Sequence, residues 1–104
     1  MSEEKNTENK INIEISDEVA DGIYSNLAIL THSNSEFIID FIRMMPGVPK
    51  AKVKSRILLT PQHAKRLLKA LAENISKFES MHGTIKEGDE IKVPLNFGGP
   101  TAQA

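Results

Sequence analysis

Four stretches of the first 60 residues have the pattern of strands. The first and last alternate apolar and polar side chains, which is typical of strands that bury one side, whereas the second and third carry apolar residues on both faces, as strands buried on both sides do. The stretches are residues 10–16, 22–32, 36–45 and 50–59. The second and third flank the turn formers around Ser33–Ser35, which predicts a hairpin. Pro-Gly-Val-Pro at 46–49 separates the third stretch from the fourth, because proline lacks a backbone N–H and glycine accepts positive φ.

A different period begins after residue 60, where apolar residues recur every three or four positions and indicate an amphipathic helix. They are Ala64, Leu67, Leu68, Leu71, Ile75 and Phe78. Thr60 is a suitable N-cap, and Pro61 loses no required hydrogen bond at the first helical position. Gly83 suits the position after the helix ends. A helix of about 20 residues would be about 30 Å long, enough to cover a small sheet.

These elements predict one α+β domain at residues 10–83, a four-stranded antiparallel β-β-β-β-α sheet covered on one face by the helix. Residues 1–9 are predicted to be a disordered acidic arm. Residues 84–104 are predicted to be a flexible tail whose extended apolar segment, 91–97, either completes this domain's sheet or binds a partner. The predicted core is Ile13, Ile15, Leu27, Ile29, Ile39, Phe41, Val53, Ile57, Leu59, Leu67, Leu68, Leu71, Ile75 and Phe78.

The sheet face opposite the helix is predicted to remain apolar and uncovered. Its residues are Tyr24, Ala28, Leu30, Ile38, Ile42 and Met44. Apolar patches of this extent are uncommon on monomers, so the pattern predicts a homo-oligomer that associates through this face. Association would also help a domain this small, which buries only about 60% of its unfolded surface.

Charge is strongly segregated, although the net charge is only −1. Residues 1–40 hold nine acidic and two basic side chains, whereas residues 41–72 hold eight basic and no acidic ones. A basic face is predicted on the fourth strand and the helix, formed by Lys52, Lys54, Arg56, Lys65, Arg66 and Lys69. Three interpretations stay open: a solvated face or one neutralised by the chain's own carboxylates, an acidic protein partner, or nucleic acid. The lack of aromatic residues between 42 and 77 disfavours base stacking.

Candidate catalytic chemistry is sparse. There is no cysteine, which excludes disulfides and thiolate nucleophiles, and His32, His63 and His82 lack metal-ligand spacing. Asp40 lies in an apolar strand and is expected to form an ion pair with Arg43, Arg56 or a lysine; a general acid or base of raised pKa is the alternative. We therefore predict no catalytic site, cofactor or metal.

Tyr24, Asn26 and His32 share strand parity and could line one ligand-binding face. A polar outer face of the sheet is the simpler interpretation. The sequence also lacks a signal-peptide pattern, and its longest apolar runs are too short for a bilayer. These features predict a cytoplasmic protein without membrane association.

The sequence between Ile23 and Phe78 also carries a distinctive series of residues. They are Tyr24 to Asn26, His32-Ser33, Glu36-Phe37, Asp40-Phe41, Ala51 to Arg56 and Leu59 to Leu67. On these residues the chain resembles the domain of unknown function 3467, found in short bacterial and archaeal proteins. The resemblance implies no reaction. Some bacterial members look to be encoded near RNA polymerase genes, which implies a link to transcription.

The function predicted from the sequence is a small non-enzymatic cytoplasmic interaction module that is homo-oligomeric and serves a larger machine such as RNA polymerase. A protein partner could also bind through the C-terminal tail. The alternative is a nucleic-acid-binding protein that uses the basic face.

Overall fold

The computed structural model describes residues 10–88 and the backbone of Ala102–Gln103. Its elements are a short helix α1 (Asp17–Ala20), three strands β1 (Leu27–His32), β2 (Phe37–Arg43) and β3 (Lys52–Leu59), a long helix α2 (Pro61–His82) and a two-residue strand β4 (Ala102–Gln103). All strand pairs are antiparallel, and the order across the sheet is β3-β2-β1-β4. The predicted α+β class and antiparallel sheet are confirmed.

The β1–β2 hairpin forms around the predicted turn. The Ser33 N–H donates to the Glu36 carbonyl at 2.9 Å, and the Ser33 hydroxyl accepts from the N–H groups of Ser35 and Glu36. Serine side chains favour such local bonds to nearby backbone groups. The turn fixes the register, with His32 opposite Phe37 and Leu27 opposite Ile42.

The register divides the sheet into two faces, because directly opposite residues of antiparallel strands share a side. The Ile29 face comprises Leu27, Ile29, Thr31, Ile38, Asp40, Ile42, Val53, Arg56 and Leu58. The Phe41 face comprises Ala28, Leu30, His32, Phe37, Ile39, Phe41, Arg43, Lys52, Ser55, Ile57 and Leu59. A register shift between Phe41 and Ile42 leaves Lys54 of β3 without an opposite residue, as in a β-bulge.

The buried core is small and lies within the sheet. Its hydrophobic members are Leu27, Ile29, Ile39, Ile42 and Leu59, and Met44 packs against the cluster of Leu27, Ile29 and Ile42. Four of the five belong to the predicted core. Ile42 does not, because the sequence pattern places it on the uncovered face, whereas the hairpin register brings it opposite Leu27.

The predicted first strand is wrong. Residues 10–16 form no strand, and Ile13 and Ile15, predicted core residues, are 91% and 67% exposed. Alternation makes this segment suitable for a strand, but a strand also needs an edge to pair with, and no described strand pairs with it. Ser16 instead caps α1, accepting from the Val19 N–H at 3.3 Å.

The predicted second strand is shorter than expected, because the ordered pairing begins only at Leu27. The side chains of Ser25 and Asn26 bond to backbone groups near the end of β2. Residues 22–24 therefore precede the sheet. The predicted acidic arm 1–9 and the segment 91–97 lie outside the described residues, so both stay predictions.

Helix α2 begins and ends as predicted. Thr60 accepts from the His63 N–H at 3.2 Å, Pro61 occupies the first turn, and Gly83 has φ of +91° after the last turn. Its packing, however, differs from the prediction: no residue of α2 is buried, so the helix does not cover the sheet. Neither described helix is long and apolar enough to cross a membrane.

The exposure of β3 and of the apolar side of α2 explains the other errors in the predicted core. Seven predicted core residues are at least 40% exposed: Val53, Ile57, Leu67, Leu68, Leu71, Ile75 and Phe78. Phe41 is only half-buried. The periodicity correctly identifies their apolar sides, but it does not say which surface covers those sides.

Candidate interaction surfaces

The apolar side of α2 is a feature of the surface that the sequence did not predict to be exposed. We define the α2 stripe as Leu67, Leu68, Leu71, Ile75 and Phe78. The exposed fraction of these side chains runs from 40% for Leu67 to 67% for Leu68. Water around such a surface gives a strong driving force for burial against another apolar surface.

A second exposed apolar set lies before α1. Ile11, Ile13 and Ile15 are 84%, 91% and 67% exposed. The alternating residues between them are polar, including Glu14. Residues 10–16 therefore present an exposed row of isoleucines.

The segment that includes α1 lies beside the Phe41 face of the sheet. An open groove of about 440 Å³ separates them. Its lining is mostly apolar and consists of Glu18, Val19, Gly22, Ile23, Ser25, Phe41, Ser55 and Ile57. Among its polar groups, the Ser25 hydroxyl lies 3.0 Å from the Leu27 carbonyl and 2.9 Å from that of Ile42, to which it donates. The groove is therefore a surface for apolar contact.

Asp40 is the one buried charged residue in the described part of the chain, and the predicted ion pair is confirmed with Arg56 as its partner. The register places the two residues opposite each other on β2 and β3. Arg56 Nε lies 2.6 Å from one carboxylate oxygen and Arg56 Nη2 lies 2.9 Å from the other. Charged, two-point pairs of this kind are among the strong hydrogen bonds of proteins.

The two side chains of the pair differ in exposure, and each shifts the pKa of the other. The Arg56 side chain is 57% exposed and the Asp40 side chain only 4%. The hydrogen bond from Arg56 lowers the pKa of Asp40, burial opposes this shift, and the positive charge of Arg56 adds to it. The same bond raises the pKa of Arg56. Asp40 is therefore a permanently ionised structural group at neutral pH, unlike a general acid or base of raised pKa.

The six residues of the predicted basic face are all exposed. The three of them that belong to β3, however, do not lie on one face of the sheet. Arg56 lies on the Ile29 face, Lys52 lies on the Phe41 face opposite Arg43, and Lys54 occupies the bulge between them. The expected spacing of two residues is broken because the bulge shifts the alternation by one. Lys65, Arg66 and Lys69 lie on the first three turns of α2, away from its stripe.

The predicted oligomer face is likewise divided. Ile38 and Ile42 lie on the Ile29 face, and Ala28 and Leu30 lie on the Phe41 face. Tyr24 precedes β1 and is 66% exposed, with the Arg43 guanidinium 5.6 Å from its ring centre. The antiparallel register decides this division, and it cannot be read from residue parity within one strand.

Tyr24, Asn26 and His32 do not converge on a ligand site. Tyr24 contacts Arg43, and the Asn26 amide both donates to the Met44 carbonyl and accepts from the Met44 N–H. His32 stacks on Phe37 at the other end of β1, with ring centres 5.4 Å apart.

The other two histidines lie on α2, where His63 is in the first turn and His82 in the last. The His82 ring lies 4.8 Å from that of Phe78. Within residues 10–88, no three side chains of histidine, aspartate or glutamate come together in a way that could hold a metal ion.

Comparison with known proteins gives one match. The family profile described as "Protein of unknown function (DUF3467)" matches residues 1–87. No curated protein and no solved structure matches the chain.

Proposed function

Because the chain belongs to the family of unknown function DUF3467, we propose its role from geometry: it is a small non-enzymatic interaction module that works as a homo-oligomer in the cytoplasm. The observation that carries the proposal is the exposed α2 stripe, since none of the 22 residues of α2 is buried. A helix of this length with one apolar side is stable in water when that side packs against another surface.

The free energy available from burying the α2 stripe supports a second copy of the chain as its partner. Complete burial of one large apolar side chain contributes about 1.5–3 kcal/mol, so five half-exposed side chains on each of two copies give on the order of 10 kcal/mol. Association costs roughly 4–15 kcal/mol of translational, rotational and side-chain freedom. Stripe against stripe is therefore enough for a weak dimer, and further contacts would be needed for a tight one.

The first test is the mass of the protein in solution. We expect native mass spectrometry and sedimentation equilibrium at micromolar concentration to give at least twice the mass of one chain. The expected mass should persist in 0.5 M salt, because apolar contacts are not screened by ions as charge pairs are. A single-chain mass at both salt concentrations would overturn the proposal.

Nucleic-acid binding is the second candidate function, and the exposure of Lys52, Lys54, Lys65, Arg66 and Lys69 favours it. Arg56 contributes less than the sequence suggests, because its guanidinium is bonded to Asp40. Counterion release makes phosphate binding fall steeply with salt. Because lysine and arginine would contact phosphates, this candidate function predicts binding that does not depend on the nucleotide sequence.

A titration of labelled duplex DNA against salt concentration tests this candidate. We expect Lys54→Glu to weaken binding at low salt and to reduce the slope of log affinity against log salt by about 1. Lys77→Glu, the same charge change at an exposed α2 residue outside the basic face, serves as the matched control. Equal effects of the two substitutions, or affinity independent of salt, would refute a defined basic binding face.

A further inference from the structure

We propose that residues 10–16 of one copy of the chain add as a strand to the outer edge of β3 in a second copy. The inference rests on the proposed homo-oligomer and names its partner segment and its receiving edge. Extended segments bind sheet edges through backbone hydrogen bonds, while alternate side chains give the specificity.

The donor segment has the pattern of a strand but pairs with none of the described strands. Ile11, Ile13 and Ile15 alternate with polar residues, and their exposed fractions are the largest among the isoleucines of the described chain. Both the segment and β3 are present in one molecule, yet they do not pair there. The isoleucine row is therefore available to another molecule.

The acceptor edge is long and lies at the outside of the described sheet. β3 spans eight residues and is the outermost strand in the order β3-β2-β1-β4, with no strand on its other side among the described residues. An exposed edge of this length presents a row of unpaired N–H and C=O groups. Val53, Ile57 and Leu58 on this strand are 45%, 42% and 55% exposed, so a new strand would also cover apolar side chains.

Charge distinguishes the proposed partner from a second β3 edge. β3 carries Lys52, Lys54 and Arg56, and like charges directly opposite each other destabilise a strand pair. Lysines on an edge strand are a recognised barrier to symmetric edge-to-edge pairing. Residues 10–16 hold one base and one acid, Lys10 and Glu14, and the residues directly after them add Asp17, Glu18 and Asp21 without a base. The basic edge is thus complementary to the acidic stretch 14–21 that includes the end of the donor segment, and it repels its own copy.

The difference between the two faces of the sheet also predicts on which face the isoleucines of the added strand would lie. The apolar groove lies on the Phe41 face, next to Ile57 of β3. With the isoleucine row on that face, the strand would extend the apolar surface of the groove. Glu14 would then lie on the Ile29 face with Arg56, whose guanidinium has five N–H donors and uses two on Asp40.

Cross-linking between differently labelled copies tests the exchange, because the chain has no cysteine of its own. One preparation carries Asn12→Cys and a second, with an affinity tag, carries Lys54→Cys. The two are mixed, unfolded and refolded together, and then treated with a short bis-maleimide, which tolerates a shift of register. We expect a covalent heterodimer of the two preparations. A matched mixture of Asn12→Cys with Ser76→Cys on α2 should give several-fold less.

The outcomes separate this proposal from the homo-oligomer itself. A covalent heterodimer supports strand exchange. An oligomeric mass without the cross-link, or a cross-link no more abundant than in the Ser76→Cys mixture, overturns strand exchange and leaves the oligomer standing. A single-chain mass without any cross-link overturns both. Circular dichroism of each variant before mixing verifies that the exposed substitutions leave the fold intact.

Discussion

Replacing Leu71 with glutamate is expected to raise the dissociation constant of the homo-oligomer by about 100-fold. Leu71 lies at the centre of the α2 stripe and is 55% exposed in the single chain. Losing about 1.5 kcal/mol of apolar burial from each of two copies gives about 3 kcal/mol. Each 1.4 kcal/mol is a factor of about ten in the dissociation constant, and the buried charge adds to the effect.

The measurement is sedimentation velocity across a concentration series, with circular dichroism to follow helix content. Ser76→Glu is the matched control, because it introduces the same charge at an exposed α2 residue outside the stripe. The control is expected to dissociate like the unmodified protein. If Leu71→Glu and Ser76→Glu have indistinguishable dissociation constants, α2 is not the association surface, even if the protein is an oligomer.

Replacing Arg56 with methionine is expected to lower the free energy of unfolding by about 1–3 kcal/mol, the usual penalty of a buried polar group left unsatisfied. Asp40→Asn is expected to lower it less. The reason is the asymmetry in exposure: without Asp40, the 57% exposed Arg56 side chain is hydrated, whereas without Arg56 the 4% exposed carboxylate is not. Asparagine also keeps an oxygen that accepts from Arg56.

Urea denaturation at one fixed protein concentration measures both variants, since the midpoint of an oligomer depends on concentration. The pH dependence provides an independent readout. The bond from Arg56 holds the pKa of folded Asp40 below its unfolded value of about 3.9, so its contribution is present above that pH and is lost as pH falls through the folded pKa.

The difference in stability between the unmodified protein and Arg56→Met should therefore be largest near neutral pH. It should shrink as the pH falls below about 4, because a protonated Asp40 no longer needs the charge of Arg56. A difference that stays constant down to pH 2, or an Asp40→Asn variant that is less stable than Arg56→Met, would contradict the structural role of the pair.

The pair also illustrates how far local sequence reasoning extends. Asp40 stands out because a carboxylate interrupts an apolar strand, which predicts a partner of opposite charge on a neighbouring strand. The choice of Arg56 over Arg43 or a lysine follows only from the register of β2 against β3. The bulge at Lys54 shifts that register, and no feature of the sequence alone located it.

The sequence by itself determined the hairpin turn at Ser33, the limits of α2 at Thr60 and Gly83, and the family, since these depend on local backbone preferences and on residue order. Only the tertiary structure decided which apolar sides are covered. The spacing of apolar residues shows that residues 11–15 and α2 each have one apolar side. In the single chain, both of these apolar sides are exposed. Burial depends on which surfaces meet in space, which periodicity within one element does not encode.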